Sequence, residues 1–307
     1  MVFAKRQVVF LRKMGVNAET FFLASRTSSS ILIKEIIRFR RMIHKCNPDL
    51  IHAQYGTMTA FFCASMSMLP LVITYRGSDL NPCPSMPFLR WQAGRLLSQF
   101  AALRAKHIIC VSIQLKERLW WKKKNVSVVS SGIDTSVFYP KSRQEERRYL
   151  GWKDQERVVL FNAGREPKVK GLDIAKAAVD VARRICGDIR FVVLDGYVDP
   201  TLIPRMMNAA DCLLMASEWE GSPDIIKEAL ACNLPIVSTD VGDVKERISD
   251  VKHSFLARRD PNEMGRVLSK ILSERERSNG YESIQKIAED KLSAKIASIY
   301  QAILGGS

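Results

Sequence analysis

Short apolar segments alternate with helical patterns along most of the 307-residue chain, and this alternation limits the fold more than any other feature. Such apolar runs suit parallel strands that are buried on both faces, and the helical patterns between them supply the crossovers. The alternation occurs in two series, which a polar segment at 140–156 separates. It therefore predicts two doubly wound α/β domains, whose ligands bind beyond the carboxyl ends of the strands.

The predicted elements fill both domains. Candidate strands lie at 18–23, 50–54, 71–74, 108–111, 126–130, 158–162, 189–194, 212–215 and 235–239. Helices are predicted at 2–14, 30–46, 171–185, 201–209, 224–231, 261–275 and 283–303, and Gly15 suits the position just after the first of them. We place one Rossmann-like domain at 1–145 and a second at 146–282. The remaining segment, 283–307, is predicted as a closing helix that can cross back to the first domain.

Positive charge is concentrated in the first half of the chain. The net charge is +15, but residues 1–150 carry 24 basic and 8 acidic side chains, whereas the remainder carries 23 and 24. A basic half-molecule attracts anionic partners such as a phospholipid surface, a phosphorylated carrier or a nucleic acid. No nucleic-acid partner is expected, because a recognisable reading motif is lacking. The seven cysteines are scattered without a CxxC pair, which favours a reducing compartment over a disulfide framework or a zinc site.

The most informative stretch is SEWEGSPDIIKEAL at 217–230. An apolar strand runs into a Gly-Ser-Pro turn, and Pro223 suits the first position of the helix that follows. The N–H groups at a helix start favour an anion or a hydroxyl group. Glu220 before this helix and Glu228 inside it can accept hydrogen bonds from the vicinal hydroxyls of a sugar or ribose. The alternative is a capped surface helix with solvated acids.

A second junction between a strand and a loop has the sequence FNAGREPKVKG, at 161–171. Gly164 opens the loop, and Arg165 and Lys170 flank it. A planar guanidinium and a compact ammonium group together suit a diphosphate, whose charge they neutralise without a tightly held metal. The alternative is a pair of solvated loop cations. The loop is neither a P-loop nor the GxGxxG fingerprint, which argues against an NAD enzyme.

These segments together resemble retaining glycosyltransferases of family 4. The similarity includes EGSPDIIKEALACNLPIVSTDVGD with its Glu-x7-Glu spacing, GREPKVKG, and SSGIDTSVFYP at 130–140. It continues in NPDLIH at 47–52, PLVITYRGSD at 70–79 and MNAADCLLMAS at 207–217. The resemblance implies the GT-B fold, in which two Rossmann-like doubly wound domains face each other across a cleft.

The resemblance also implies how the second domain binds a nucleotide-diphospho-sugar. Arg165 and Lys170 would hold the diphosphate, Glu228 the ribose, and Glu220 the hydroxyls of the donor sugar. The full set of implied donor-binding residues is Gly164, Arg165, Lys170, Glu220, Gly221, Ser222, Pro223 and Glu228. Transfer would retain the anomeric configuration by front-face attack. No enzyme nucleophile, metal or cofactor is expected.

The first domain would hold the acceptor, a glycan or a lipid-linked molecule. The resemblance implies His52, Arg76 and Asp79 on the acceptor side, and His52 is also a catalytic candidate beside Glu220, Arg165 and Lys170. Two alternatives stay open: His52 can be a hydrogen-bonded core histidine, and Asp79 can cap a turn. Gln54 and Arg76 stand where many members of the family carry histidine.

One departure from the family pattern concerns the start of the chain. The segment MVFAKRQVVFLRKMG resembles the helix that follows the family's Gly-rich loop, so the first strand and that loop are expected to be absent. Without them, the alternative to an active transferase is a truncated, non-catalytic sugar-nucleotide-binding protein or a partner subunit.

Two stretches combine basic and aromatic residues. In 88–106, apolar residues recur at helical spacing between arginines, and RLWWKKK at 118–124 places two tryptophans beside three lysines. The spaced apolar residues are Leu89, Ala93, Leu96, Leu97, Phe100 and Leu103. Tryptophan with lysine suits a lipid interface, and the alternative is an ordinary core-facing helix and a positively charged helix end. No membrane span or secretory leader is predicted, and we expect a cytoplasmic protein with peripheral contact to the inner face of the membrane.

Overall fold

The computed structural model describes residues 2–82, 86–121, 125–164 and 166–305. The chain divides into two compact units. The first comprises Met1–Gly132 and Glu289–Ser307, and the second comprises Ile133–Ala288. The division therefore lies before the polar segment on which we placed the predicted domain boundary. Among the helices of the described residues, none has the length and apolar character that a membrane span requires.

The first unit is a parallel four-stranded sheet with helices between the strands. Its elements are α1 (Val2–Lys13), α2 (Ser29–Cys46), β1 (Ile51–Ala53), α3 (Thr57–Met66), β2 (Leu71–Tyr75), α4 (Phe88–Arg104), β3 (His107–Cys110), α5 (Ile113–Glu117) and β4 (Val126–Val128). The strand order is β1-β2-β3-β4, and Ile51 pairs with Leu71 in the register. All five side chains of β2 are buried, as expected for a strand at the centre of a parallel sheet.

The second unit is a parallel five-stranded sheet with the order β6-β5-β7-β8-β9. Its elements are α6 (Arg143–Leu150), β5 (Arg157–Asn162), α7 (Pro167–Lys170), α8 (Leu172–Cys186), β6 (Ile189–Leu194), α9 (Ile203–Ala209), β7 (Cys212–Met215), α10 (Asp224–Ala231), β8 (Ile236–Ser238), α11 (Val244–Ile248), β9 (Ser254–Leu256), α12 (Pro261–Glu274) and α13 (Gly280–Ile284). The reversal of strand order at β5 and β7 brings their carboxyl ends side by side. This edge of the sheet carries the candidate site.

The predicted strand at 18–23 is wrong. The backbone there is irregular, and side chains bond some of its polar groups. The guanidinium of Arg12 donates to the carbonyl of Ala18, that of Arg38 donates to the carbonyl of Phe22, and the N–H of Ala24 donates to Glu35. Because these local bonds satisfy the backbone, the apolar pattern of the segment does not lead to a ladder.

The closing helix is also shorter than predicted. The segment 283–303 is divided among the end of α13, a 3-10 turn at 285–287 and α14 (Glu289–Leu304). Glu289 is buried at the start of α14 and pairs with Arg6 at 3.2 Å. α14 belongs to the first unit, where Tyr300 and Ile296 pack in one apolar cluster with Val72 and Ile109. The new helix start therefore coincides with the point where the chain enters the first unit.

The polar segment at 140–156 is part of the second unit instead of a joint. It forms α6, and the fully buried guanidinium of Arg147 donates to the carbonyls of Ala209, Asp154 and Glu156. Arg147 also pairs with the buried carboxylate of Asp211 at 2.7 Å. The polar composition of this segment predicts a joint, but one of its arginines organises a buried network within the second unit.

Replacement of Arg147 by methionine is expected to destabilise the protein by about 3 kcal/mol, because the carboxylate of Asp211 would lose its buried partner. The thermal unfolding of the full chain measures this loss. Arg183→Met is the matched control, since Arg183 pairs with Asp180 at the surface and both side chains are substantially exposed. The control should cost no more than about 1 kcal/mol. Equal shifts in the two variants would contradict the importance that we give to the Arg147 network.

Candidate active site

The candidate site lies at the carboxyl edge of the second sheet, where the loops after β5 and β7 meet. The first of them, 163–171, includes the short helix α7, and the second spans 216–223. The N–H of Glu218 in the second loop donates to the carbonyl of Val169 in the first at 3.2 Å. Gly171 closes the first loop with φ +74°, and a Cβ at this position would lie only 2.4 Å from the carbonyl oxygen of Ala216. Only glycine allows the two loops to approach this closely.

Lys170 and Glu220 meet across the two loops. The Nζ of Lys170 donates to Oε1 of Glu220 at 2.5 Å, and the hydroxyl of Ser217 donates to the same oxygen at 2.9 Å. Both charged side chains stay partly accessible, since 25% of the Lys170 side chain and 14% of the Glu220 side chain are exposed. An ammonium group for an anion and a carboxylate for hydroxyl groups thus lie side by side.

The turn at 221–223 is held by a polar network that sequence reasoning missed. The hydroxyl of Ser222 donates to Asp243 at 2.8 Å, and the guanidinium of Arg247 holds the same carboxylate oxygen at 2.8 Å. The buried ammonium of Lys227 donates to Ser222 at 3.2 Å and pairs with Asp224 at 2.7 Å. The only sequence signal for this network is a lysine on the apolar face of a short helix, which is uninformative without the fold.

Pro223 precedes α10 instead of forming its first residue. Its φ of −69° and ψ of 119° make it the capping position, and the helix begins at Asp224. Glu228 lies inside α10 and is half-buried. Gly221 is also tightly placed, because a Cβ on Gly242 would lie 2.7 Å from its carbonyl oxygen. The predicted turn is therefore present, but Pro223 lies one residue before the first residue of α10.

The loop after β5 begins with a positive φ at Gly164, +51°. Its N–H donates to the side-chain oxygen of Asn162 and to the carbonyl of Leu194, each at 3.1 Å. These bonds fix the position from which the chain continues toward Lys170. Arg165, the other predicted diphosphate ligand, lies outside the described residues.

Residues of two further loops hydrogen-bond the backbone of the loop after β7. The guanidinium of Arg259 donates to the carbonyl of Ala216 at 3.0 Å, and the hydroxyl of Thr239 donates to the carbonyl of Ser217 at 2.8 Å. These bonds satisfy the backbone at the end of β7, where no strand continues. Neither residue was identified from the sequence, because each is distant in sequence from the carbonyl that it holds.

His52, a predicted acceptor-side residue, belongs to the first unit. Its Nδ1 hydrogen-bonds the hydroxyl of Tyr300 at 2.5 Å, and its Nε2 hydrogen-bonds that of Thr74 at 2.7 Å. Burial, assisted by the positive charge of Arg76, lowers the pKa of His52 to about 3. The ring is therefore neutral at ordinary pH, with both nitrogens engaged. This geometry matches the hydrogen-bonded core histidine, and a catalytic role for His52 stays a prediction.

Arg76 and Asp79 shape the loop after β2. Asp79 is 0% exposed, and its carboxylate accepts the N–H groups of Gly56, Arg76 and Gly77 at 2.8–3.1 Å. Burial raises the pKa of Asp79, and these hydrogen bonds oppose the rise. Arg76 donates to the backbone and side-chain oxygens of Gln54. Asp79 thus caps the turn, and its contact with an acceptor stays a prediction.

The comparisons with known proteins agree with this architecture. The model described as Glycosyltransferase Family 4 matches residues 3–137, and the model described as Glycosyl transferases group 1 matches residues 152–274. Together they cover both units. The chain is therefore similar, in each of its two units, to glycosyltransferases of the family-4 type.

One relative is a glycosyltransferase of Bacillus subtilis assigned to teichuronic acid biosynthesis. It is 27% identical over 230 residues, which are 68% of this chain and 57% of the relative. The chain thus spans little more than half the length of that protein.

Two solved structures establish the GT-B fold. Sucrose-phosphate synthase from Thermosynechococcus elongatus has a TM-score of 0.77 at 18% identity, over 91% of this chain and 79% of that one. The Anabaena protein HepE in complex with UDP and glucose has a TM-score of 0.73 at 18% identity, over 96% and 89%. At this identity the likeness concerns the fold.

The low pKa of His52 leads to a prediction about stability and pH. In the unfolded chain His52 takes up a proton near its ordinary pKa of 6.5, whereas in the folded protein it does so only near 3. Its contribution to stability is therefore complete above pH 6.5 and is lost as the pH falls toward 3. Between pH 6.5 and 5 the loss should be about 2 kcal/mol.

His52→Gln removes this titration. Denaturant unfolding of the wild type and of this variant at pH 7.5 and pH 5 measures the difference. The variant should lose less stability on acidification than the wild type, by about 2 kcal/mol. Parallel losses in the two proteins would show that His52 is not held neutral.

Proposed function

We propose that the chain transfers a sugar from a nucleotide-diphospho-sugar to a glycan or lipid-linked acceptor, with retention of the anomeric configuration. The observation that carries this proposal is the meeting of Lys170 and Glu220 at the carboxyl edge of the second sheet. Ligands of doubly wound folds bind at this edge, and Lys170 and Glu220 match the diphosphate and the sugar of such a donor. HepE, whose structure contains UDP and glucose, makes UDP-sugars the first donors to test.

Lys170 and Glu220 would change partners when the donor binds. Without a donor, each charge is neutralised by the other at 2.5 Å. In the complex, the ammonium group of Lys170 would turn to the diphosphate together with Arg165. The carboxylate of Glu220 would then accept the hydroxyls of the sugar, while the hydroxyl of Ser217 keeps it in place. The ion pair thus prepares both groups without exposing an unpaired charge.

The chemistry follows from the charges that develop during transfer. Cleavage of the anomeric C–O bond leaves positive charge on the sugar and negative charge on the departing diphosphate. Lys170 and Arg165 would stabilise the second, which is transition-state stabilisation by preorganised charge. In front-face attack, the acceptor oxygen bonds to the anomeric carbon on the side of the leaving group. Its proton passes to the departing phosphate oxygen, so the enzyme supplies no nucleophile.

The turn at 221–223 and Glu228 complete the proposed donor site. The hydroxyl of Ser222 is hydrogen-bonded to Asp243 and Lys227, and these bonds fix the turn beside the start of α10. The backbone N–H groups there are proposed to donate to oxygens of the donor. Glu228, half-buried on the same helix, is proposed to accept the ribose hydroxyls. On the acceptor side, Arg76 and His52 remain proposals.

A second candidate function is sugar-nucleotide binding without turnover, as a partner subunit. It is motivated by the same ion pair, because groups that bind a diphosphate and sugar hydroxyls can hold a sugar nucleotide without transferring its sugar. Donor binding with no transfer to any acceptor or to water would favour it. Turnover would exclude it.

Substitution of the ion pair separates binding from catalysis. Glu220→Gln should reduce transfer by at least about 100-fold. The neutral amide stabilises the positive charge that develops on the sugar less well than the carboxylate does, and it accepts weaker hydrogen bonds from the sugar hydroxyls. Lys170→Ala should weaken UDP-sugar binding by at least about tenfold, through loss of a charge-assisted bond to the diphosphate. Transfer is measured as UDP release, and binding by calorimetry.

Lys176→Ala is the matched control for Lys170→Ala, because Lys176 is an exposed lysine on α8. It should bind the donor as the wild type does. Thermal unfolding verifies that all variants are folded. Unchanged donor affinity in Lys170→Ala, or near-normal transfer in Glu220→Gln, would contradict the proposed site.

We further propose that transfer requires no divalent metal, since cationic side chains are available to neutralise the diphosphate. Turnover of the wild type in the presence of excess EDTA should equal that with added Mg²⁺ or Mn²⁺. A loss of activity on chelation that either metal restores would overturn this proposal.

A further inference from the structure

Helix α4 presents its apolar stripe to solvent instead of to the core. Four of its large apolar side chains, Leu89, Leu96, Phe100 and Leu103, are 81%, 42%, 52% and 47% exposed. With Ala93, which is also exposed, they follow the spacing of one continuous face along the helix. These five residues therefore do not face the core, whereas Ala101 and Ala102 on the other side of α4 pack in it. The surface formed by these five residues is called the α4 stripe below.

The buried side of α4 carries two alanines, Ala101 and Ala102, and two polar residues, Ser98 and Gln99. The hydroxyl of Ser98 donates to the carbonyl of Asp79 at 2.9 Å and accepts the N–H of Thr57 at 2.7 Å. The amide of Gln99 donates to the carbonyl of Arg118 at 2.9 Å and accepts the N–H of Trp120 at 3.1 Å. A rotation of α4 that buried the stripe would leave these groups unpaired. The outward orientation is thus fixed by the core itself.

Gln99 also places two tryptophans at the side of the α4 stripe. Its carbonyl accepts the indole N–H of Trp121 at 2.6 Å. The ring of Trp121 lies 6.2 Å from that of Phe100 and 5.6 Å from that of Trp120. Trp120 is 48% exposed, and the guanidinium of Arg95 lies 5.3 Å from its ring centre. The apolar surface therefore continues from the helix to an exposed indole beside a cation.

The charge around this surface has one sign. Helix α4 contains three arginines and no acidic residue. Between Asp79 and Asp134 the sequence has nine lysines and arginines and a single acidic residue, Glu117. Among these cations, Arg90 and Lys106 are exposed near the two ends of the helix. Lysines 122–124 lie outside the described residues.

We propose that the α4 stripe and Trp120 dock the protein on an anionic lipid bilayer. The stripe would lie in the plane of the membrane over a helix about 25 Å long. Trp120 would sit at the level of the headgroups, and the flanking cations would contact anionic phosphates. This deepens the proposed function, on which it rests for its purpose: a lipid-linked acceptor is found at such a surface.

A bilayer fits this surface better than a second copy of the chain. In a twofold dimer the same surface faces itself, so the arginines and lysines around one stripe would oppose those around the other. An anionic membrane instead removes this repulsion and accepts the exposed apolar side chains. The positive charge and the apolar stripe thus favour the same partner.

Vesicle sedimentation with the full chain tests the proposal. The wild type should sediment with vesicles of phosphatidylcholine and phosphatidylglycerol in equal amounts, and remain in solution with phosphatidylcholine alone. Leu96→Gln/Phe100→Gln should bind the mixed vesicles at least about tenfold more weakly, because two large side chains no longer enter the lipid. Both residues are exposed, so the variant should fold.

The matched control is Ile185→Gln/Tyr197→Gln, which replaces two exposed apolar residues of the second unit. It should bind the vesicles as the wild type does. Absence of wild-type binding to the mixed vesicles, or equal binding by the two double variants, would overturn the proposal. A wild-type dimer in sedimentation velocity that Leu96→Gln/Phe100→Gln converts to monomer, without vesicle binding by either, would assign the stripe to a second copy instead.

Donor binding separates this proposal from the proposed function. Leu96→Gln/Phe100→Gln should bind UDP-glucose in calorimetry as well as the wild type, because the α4 stripe belongs to the first unit and Lys170 belongs to the second. A wild type that binds vesicles but no nucleotide-sugar would contradict the proposed function and leave the docking surface supported. A wild type that binds the donor but no vesicles would overturn the docking surface and leave the proposed function supported.

Discussion

The close approach of two loops at the carboxyl edge of the second sheet is the constraint on which the candidate site depends. Gly171, with φ +74°, leaves room for the carbonyl of Ala216, and no side chain could replace its hydrogen there. Lys170 and Glu220 meet because of this approach. Their ion pair is thus a consequence of backbone packing, and its position is set before any ligand arrives. Such preorganisation is what charge stabilisation during a reaction requires.

Support for these loops comes from residues far away in the sequence. Arg259 and Thr239 satisfy the carbonyls at the end of β7, and the Asp243–Ser222–Lys227 network fixes the turn before α10. These contacts support the loop at 216–223, which carries Glu220. A substitution among them would alter the geometry of the site while leaving its charged pair intact.

The sequence predicted the second unit better than the first. Strand β7 and helix α10 begin and end at the predicted residues, because their apolar patterns agree with their burial. Strand β9 was missed, since its three residues carry no pattern. The segment 18–23 has the pattern of a strand, but arginine side chains and Glu35 satisfy its backbone. An apolar pattern leads to a strand only when a neighbouring strand is available to pair with the segment.

Side-chain environment was harder to predict than secondary structure. The helix at 88–104 was expected, yet its apolar stripe faces outward because Ser98 and Gln99 have better partners inside. For Asp79 and His52 the sequence left a functional and a structural role open, and only their hydrogen bonds distinguish the two environments. Lys170 and Glu220 are fifty residues apart, so the motifs suggested their roles but not their contact.

The most direct test of the central claim is a crystal structure of the complex with UDP-glucose. The diphosphate is predicted within hydrogen-bond distance of Nζ of Lys170, with the carboxylate of Glu220 released from that ammonium group and bonded to hydroxyls of the glucose. A donor bound elsewhere, with the ion pair between Lys170 and Glu220 still intact, would contradict the claim that this pair is the donor site.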